Sequence, residues 1–217
     1  MSCHDEHDHG HGSGGHGHSH DVPLTSGPAD SLYGQVDLVH VSALNAQGGG
    51  EAGQNVIKAW DDRDDETKWC ESDADDSLII HIPFISSVSL RSITLKAGPS
   101  GKTPSALHLF KDGQGMDFSD AEARTPTQVL DVVEGRDGAE YQVKAAKFAG
   151  MTSLTVYIPG NNSDGDEDTT RVFYIGLRGK WTPLPNELGQ IVYESAARPT
   201  DHKMEHVTEG QSWGPGY

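Results

Sequence analysis

The chain of 217 residues has only two cysteines, no apolar run long enough to cross a membrane, and 16 Lys and Arg against 33 Asp and Glu. Each scarcity excludes something. Cys3 and Cys70 are too few and too far apart for a disulfide framework, so a reducing compartment, cytoplasm and nucleus, is expected. Without an apolar run there is no candidate membrane helix, and the polar, His-rich start lacks the apolar core that a signal peptide needs. A formal charge of -17 repels phosphate backbones and anionic bilayers. No Lys/Arg cluster stands out along the chain to override that field, so neither nucleic acid nor membrane is an expected partner. Enzyme signatures are missing as well: there is no Gly-x-Ser-x-Gly elbow, phosphate-cradling Gly-rich loop, His-Glu-x-x-His helix or Cys-x-x-Cys pair. The chain is therefore expected not to be an enzyme.

What is present is concentrated in blocks. Residues 1–30, the stretch 61–76 and "DGDED" at Asp164–Asp168 hold nearly all of the net charge. The first block also holds His4, His7, His9, His11, His16, His18 and His20, in "CHDEHDHGHGSGGHGHSH". Residues 1–20 cannot bury enough apolar surface to offset the entropy of ordering, and read as a disordered tail. Its imidazoles suit adventitious Zn, Ni or Cu, although no spacing singles out four ligands of a closed site. If Met1 is removed, "SCH" would place His4 third from a free amine, the pattern of a square-planar chelate. No resident cofactor is expected.

From residue 21 to 195, short apolar runs alternate with Gly, Pro, Asn and Asp. Strands are expected near 33–40, 55–60, 78–85, 88–96, 105–111, 128–134, 140–148, 152–158, 171–178 and 190–194. Several alternate with period two, as in Leu154, Val156 and Ile158, whereas "LIIHIPF" is continuously apolar, as befits a strand covered on both faces. About ten short strands without a long amphipathic helix predict an all-β fold, a two-sheet β-sandwich of jelly-roll type. A turn of helix is expected near "DDRDDETKW", with Asp61 or Asp62 as its cap. Residues 196–217 read as a C-terminal extension, and Asn161 in "NNS" as a loop residue.

"ESDADDSLIIHIPF", Glu71–Phe84, crowds carboxylates before a strand. A calcium loop would need Gly at its sixth position and Glu at its twelfth, and neither Asp61 nor Asp73 starts such a loop. Asp73, Asp75 and Asp76 are thus expected to shape a turn and, secondarily, to meet a partner. In the strand that follows, Leu78, Ile80, Ile82 and Phe84 should share one face, and His81 should be a satisfied core residue. In "DTTRVFYIGLRGKW", Gly176 signals a bulge or close approach within a buried run. Arg178, Lys180 and Trp181 then emerge as anchor types for a protein partner. The alternative, which the pattern favours slightly, is an ordinary strand end with Trp181 folded back over the core. Asp201, His202 and His206 could gather as a polar cluster, but carboxylate and imidazole without a nucleophile and a water-excluding pocket do not make a reaction centre.

Three stretches, "ESDADDSLIIHIPF", "DTTRVFYIGLRGKW" and "YESAARPTDHK", resemble in order and separation the PITH domain family, the C-terminal proteasome-interacting module of thioredoxin-like proteins. The resemblance covers about 21–195, with a related tail to about Val207, and is greatest to the standalone members that lack a thioredoxin half. It implies a β-sandwich like galactose-binding domains, no catalytic residues and a protein partner, the 26S proteasome. Without Cys-x-x-Cys no redox activity carries over. The expected function is thus a non-enzymatic, proteasome-associated adaptor. The alternatives are a β-sandwich binding a carbohydrate or other small ligand, and metal buffering by the His tail.

Overall fold

The computed structural model describes residues 27–135 and 138–185. Its strands are β1 (Ser42–Leu44), β2 (Cys70–Glu71), β3 (Leu78–Ala97), β4 (Ala106–Lys111), β5 (Gln128–Asp131), β6 (Ala139–Gln142), β7 (Met151–Ile158) and β8 (Arg171–Thr182); one short helix, α1 (Phe118–Ala123), precedes β5. No helix among the described residues is long and apolar enough to cross a membrane.

β3 organises the fold. Its first arm, Leu78–Pro83, lies antiparallel between β1 and β7, with β4 and β5 continuing that sheet. Its second arm, from Ser87 onward, lies between β6 and β8, and β2 pairs with the start of β8. One strand therefore belongs to two sheets, turning the corner between them where the register breaks from Pro83 to Val88. Pro83, which has no N–H to give, sits where ladder pairing with β7 lapses, and its carbonyl accepts from Asp37 N at 2.9 Å. Both ends of β3 return to the start of β8: Thr170 Oγ1 donates to the Asp76 carbonyl at 2.6 Å, and Ala97 pairs with Val172.

The inward face reads off the sequence. Leu78, Ile80, Ile82 and Phe84 are buried in the core between the sheets, as their alternation predicts, with Val88 and Leu90 continuing it. The next inward residues, Ile93 and Leu95, are out of phase. A bulge restores them: Leu90 pairs with Gly179 and Ser92 with Arg178, leaving Arg91 as the extra residue. The opposite face of the first sheet is covered too, by a cluster of Ile79, Phe110, Met116, Ala121 and Tyr157. This explains why "LIIHIPF" is apolar throughout. The helix α1 that supplies Ala121 is capped by the Asp117 side chain, which accepts from Asp120 N at 2.8 Å. Truncating a fully buried residue such as Ile82 or Phe148 costs about 3 to 5 kcal/mol.

The edge strands β5 and β6 are joined by a side chain. Gln128 Nε2 donates to the Gln142 carbonyl at 3.3 Å, and its Oε1 accepts from Lys144 N at 2.8 Å.

Two expected strands are absent. Residues 33–40 form two 3₁₀ turns, Tyr33–Gln35 and Leu38–His40, because the segment crosses the mouth of the corner and Asp37 bonds both Pro83 and His40. Much of 55–60 belongs to 3₁₀ segments, Gly50–Val56 and the turn starting at Trp60. The first packs on the backbone of β1 so closely that a Cβ at Gly53 would lie 2.9 Å from the Ser42 carbonyl carbon. The helical turn near Asp61 is also 3₁₀, Trp60–Asp62, and it starts at Ala59 without a side-chain cap. The strands expected at 78–85 and 88–96 are one. The run 190–194 and the expected tail and C-terminal extension lie outside the described residues.

Candidate functional site

The acidic turn before β3 is built by Asn45, which follows β1 in a left-handed conformation, φ 60°. Its Nδ2 donates to Asp75 Oδ1 at 2.9 Å and to the Ser77 carbonyl at 2.7 Å, and its Oδ1 accepts from Ala74 N at 2.9 Å. Asp75 Oδ1 also accepts from Ser77 N (2.9 Å) and Oγ (2.5 Å), closing an Asx turn. Asp76 Oδ2 accepts from Asn161 N at 3.1 Å, and Gly160 makes room for it, since a Cβ there would lie 2.7 Å from that oxygen. Two of the three carboxylates are therefore spent on protein donors. Asp73 is exposed, and its carboxylate has no partner among the described residues. The Asp164–Asp168 loop adjoins the same end, because Asn161 Nδ2 donates to the carbonyls of Glu167 (2.8 Å) and Thr169 (3.0 Å). Among the described residues no group of three or more His, Cys, Asp or Glu side chains is placed to hold a metal ion.

Behind this turn lies an ionic hub that sequence reasoning did not single out. Glu71, 5% exposed, accepts from Arg171 Nη2 (2.6 Å) and Nε (2.7 Å), Lys102 Nζ (2.8 Å) and Thr169 Oγ1 (2.7 Å). Burial pushes the carboxyl pKa up, but the hydrogen bonds from Lys102, Thr169 and Arg171 outweigh it and hold Glu71 below the usual carboxylate range. Arg171 also stacks on Trp69, with its guanidinium carbon 5.1 Å from the ring centroid. Trp69, Arg171, Lys96, Glu66, Pro99 and Phe173 line a cleft of about 310 Å³. Its charged groups are mutually engaged: Lys96 pairs with Glu66 (2.9 Å) and Asp64 (3.4 Å), and Arg171 with Glu71. Cys70, beside Glu71, is fully buried, and burial pushes its thiol up to about 12.

His81 is only half satisfied. Thr155 Oγ1 donates to the Gly113 carbonyl at 2.9 Å, so it accepts from His81 Nδ1–H at 3.1 Å, while the buried Nε2 has no partner among the described residues. Burial lowers the His81 pKa, favouring the neutral ring that this arrangement requires.

At the far end of β8, Arg178 is a brace. Its Nε donates to Asp30 at 2.8 Å, its Nη1 to both Glu140 oxygens at 3.1 Å, and Glu140 also accepts from Ser92 Oγ at 2.5 Å. Gly179 lets β8 approach β3, because a Cβ there would collide with the Ser89 carbonyl oxygen. Gly176 pairs in register with Thr94, and in place of the expected bulge or backbone approach it accommodates the Tyr174 side chain, whose hydroxyl a Cβ would meet at 2.6 Å. Lys180 and Trp181 emerge beyond Arg178; Trp181 is 49% exposed and lies opposite Val88. Ile85, in the corner of β3, is 59% exposed, and Leu184 is exposed two residues past Thr182, which pairs with Ser87. The sequence candidates thus fall at opposite ends of β8. The ten residue steps from Thr170 to Lys180 span roughly 30 Å, so the acidic turn and Trp181 cannot form one small site. His4, His7, His9, His11, His16, His18 and His20, like Asp201, His202 and His206, lie outside the described residues.

Comparison with known proteins places this geometry in a family. The PITH domain model matches residues 22–197. PITH domain-containing protein 1 of Homo sapiens is 38% identical over 188 residues, covering 86% of this chain and 87% of that protein. A PITH domain-containing protein of Schizosaccharomyces pombe is 34% identical over 190 residues, covering 86% of this chain and 90% of that one. The chain belongs to the PITH domain family. These relatives are named for the domain they carry, not for a catalytic activity. Among solved structures, a fucolectin from striped bass (Morone saxatilis) serum has a TM-score of 0.49 at 11% identity, covering 69% of this chain and 48% of that one. The family 32 carbohydrate-binding module of Clostridium perfringens NanJ, solved with galactose, has a TM-score of 0.48 at 8% identity, covering 68% of this chain and 97% of that one.

Proposed function

We propose that the chain is a non-enzymatic protein-interaction module that associates with the 26S proteasome in cytoplasm and nucleus. The observation that carries this reading is the PITH match over residues 22–197. The structure supplies a physical means of contact: a rigid sandwich whose corner end presents Trp181 half exposed, beside Lys180, Ile85 and Leu184. Trp anchors carry a large share of binding energy at interfaces. The small-ligand reading has less support, because the charged groups of the Trp69 cleft are already paired with one another. Affinity purification of the tagged full-length chain at moderate salt tests the proposal. Proteasome subunits should be recovered, and their absence beside a working proteasome-binding control would overturn it.

A further inference from the structure

The sequence shows no basic cluster, but folding makes one. Lys111 ends β4, Lys144 and Lys147 lie on the turn after β6, and Lys180 lies near the end of β8. Their positions interlock. Lys111 Nζ donates to the Ala149 carbonyl at 2.6 Å, and Lys147 Nζ to the Thr127 carbonyl at 3.0 Å. Thr127 Oγ1 in turn accepts from Lys111 N at 3.1 Å, and Lys144 N donates to the neighbouring Gln128 side chain. Lys180 stands opposite Ser89, whose Oγ accepts from Gly150 N at 3.3 Å, while Leu90 N donates to the Phe148 carbonyl at 3.2 Å. With adjacent strands about 4.8 Å apart, the backbones at Lys180 and Gly150 are about 10 Å apart. None of the four ammonium groups has a carboxylate partner among the described residues. Asp112, next to Lys111 in the chain, directs its Oδ1 to Thr152 N (2.8 Å) and Ser153 N (3.2 Å).

The same end carries the exposed apolar groups, Trp181 and Ile85. We infer that this end of the sandwich, Lys111, Lys144, Lys147 and Lys180 around Trp181, docks a short acidic peptide segment that carries an aromatic or aliphatic anchor. The inference rests on the protein-interaction reading and names its surface and the chemistry of the partner. Charge complementarity selects that occupant. A polyanion much longer than the lysine cluster would run onto the remainder of a chain whose net charge is -17, beyond the roughly 10 Å over which salt leaves the lysine field effective. A short acidic segment stays within the cluster, and the exposed indole gives it an apolar contact.

The test uses the full-length chain and a fluorescein-labelled peptide of about twelve residues that alternates Asp or Glu with Leu and Phe. The peptide should bind with an affinity that falls as salt rises. Lys144→Gln/Lys147→Gln/Lys180→Gln and Trp181→Ala should each weaken binding about tenfold or more, while Lys68→Gln, at an exposed lysine outside this surface, matches wild type. Thermal midpoints check folding, and single Lys→Gln variants replace the triple if it melts early. Absence of peptide binding, equal loss in Lys68→Gln, or tighter binding of a single-stranded oligonucleotide or phosphatidylserine vesicles would overturn the inference. Proteasome recovery separates the two proposals. A folded triple variant that recovers the proteasome as wild type does contradicts the lysine surface and leaves the association standing. Peptide binding by a wild type that recovers no proteasome does the reverse.

Discussion

At Glu71, four donors converge on one buried carboxylate. Replacing it by Gln removes the counter-charge of Arg171 and leaves Lys102 only its longer pairing with Glu167 (3.9 Å), and should cost about 3 kcal/mol, read from chemical denaturation. Asp30 behaves similarly: the Arg178 hydrogen bond, outweighing burial, holds its carboxyl below the ordinary value. For carboxyls lowered in the folded state, the stabilisation is fully present above their unfolded pKa values, about 4, and is lost as pH falls through the lower folded values. The melting temperature should therefore hold steady from neutral pH to about 5 with respect to these groups and fall below about 4, more shallowly in Glu71→Gln. Cys70 yields a separate prediction. In a Cys3→Ser background no thiol should react with an alkylating reagent until the protein unfolds, because the buried thiol ionises only near 12. Labelling under native conditions would show that β2 opens. None of the Glu71 arrangement was legible in the sequence, where Glu71 is one acid among nine in residues 61–76; its partners, Lys102, Thr169 and Arg171, come from distant segments.

The elements were legible where side-chain alternation alone decides them. β4 and β7 follow from it, as does the inward face of β3 from Leu78 to Phe84, while most of β8 follows from its continuous apolar run. Beyond Leu90 the three-residue step to Ile93 is a bulge, visible in the sequence only to a reader who already knows the register. The 33–40 segment fails for a different reason: Val36 and Leu38 alternate, but cross-chain bonds at Asp37 impose turns. The acidic turn can be tested as an element. Asp73→Lys, altering an exposed carboxylate, should change stability by less than about 0.5 kcal/mol. Asp75→Lys should cost about 2 kcal/mol or more, because it leaves Asn45 and Ser77 donors unmatched. Equal tolerance at the two positions would contradict the turn-forming role. If Asp73→Lys folds yet loses the partner, the acidic end takes part in binding as well.

Over the described residues the molecule is bipolar. The start of β8 gathers Glu71, the Asp73–Asp76 turn and the Asp164–Asp168 loop, and near its other end the segments that carry Lys111, Lys144, Lys147 and Lys180 come together. The acidic end could be anticipated because its charges are contiguous in sequence. The basic end could not, since three separate segments bring one or two lysines each. Steering by such a charge distribution acts over about a Debye length, so association with a protein partner should slow as salt rises. The most direct measurement is crosslinking mass spectrometry of the full-length chain in cell extract at moderate salt. The account predicts crosslinks from proteasome subunits to the lysines around Trp181, lost in Trp181→Ala. A crosslink map that contains no proteasome subunit, alongside a positive control that yields them, would contradict it.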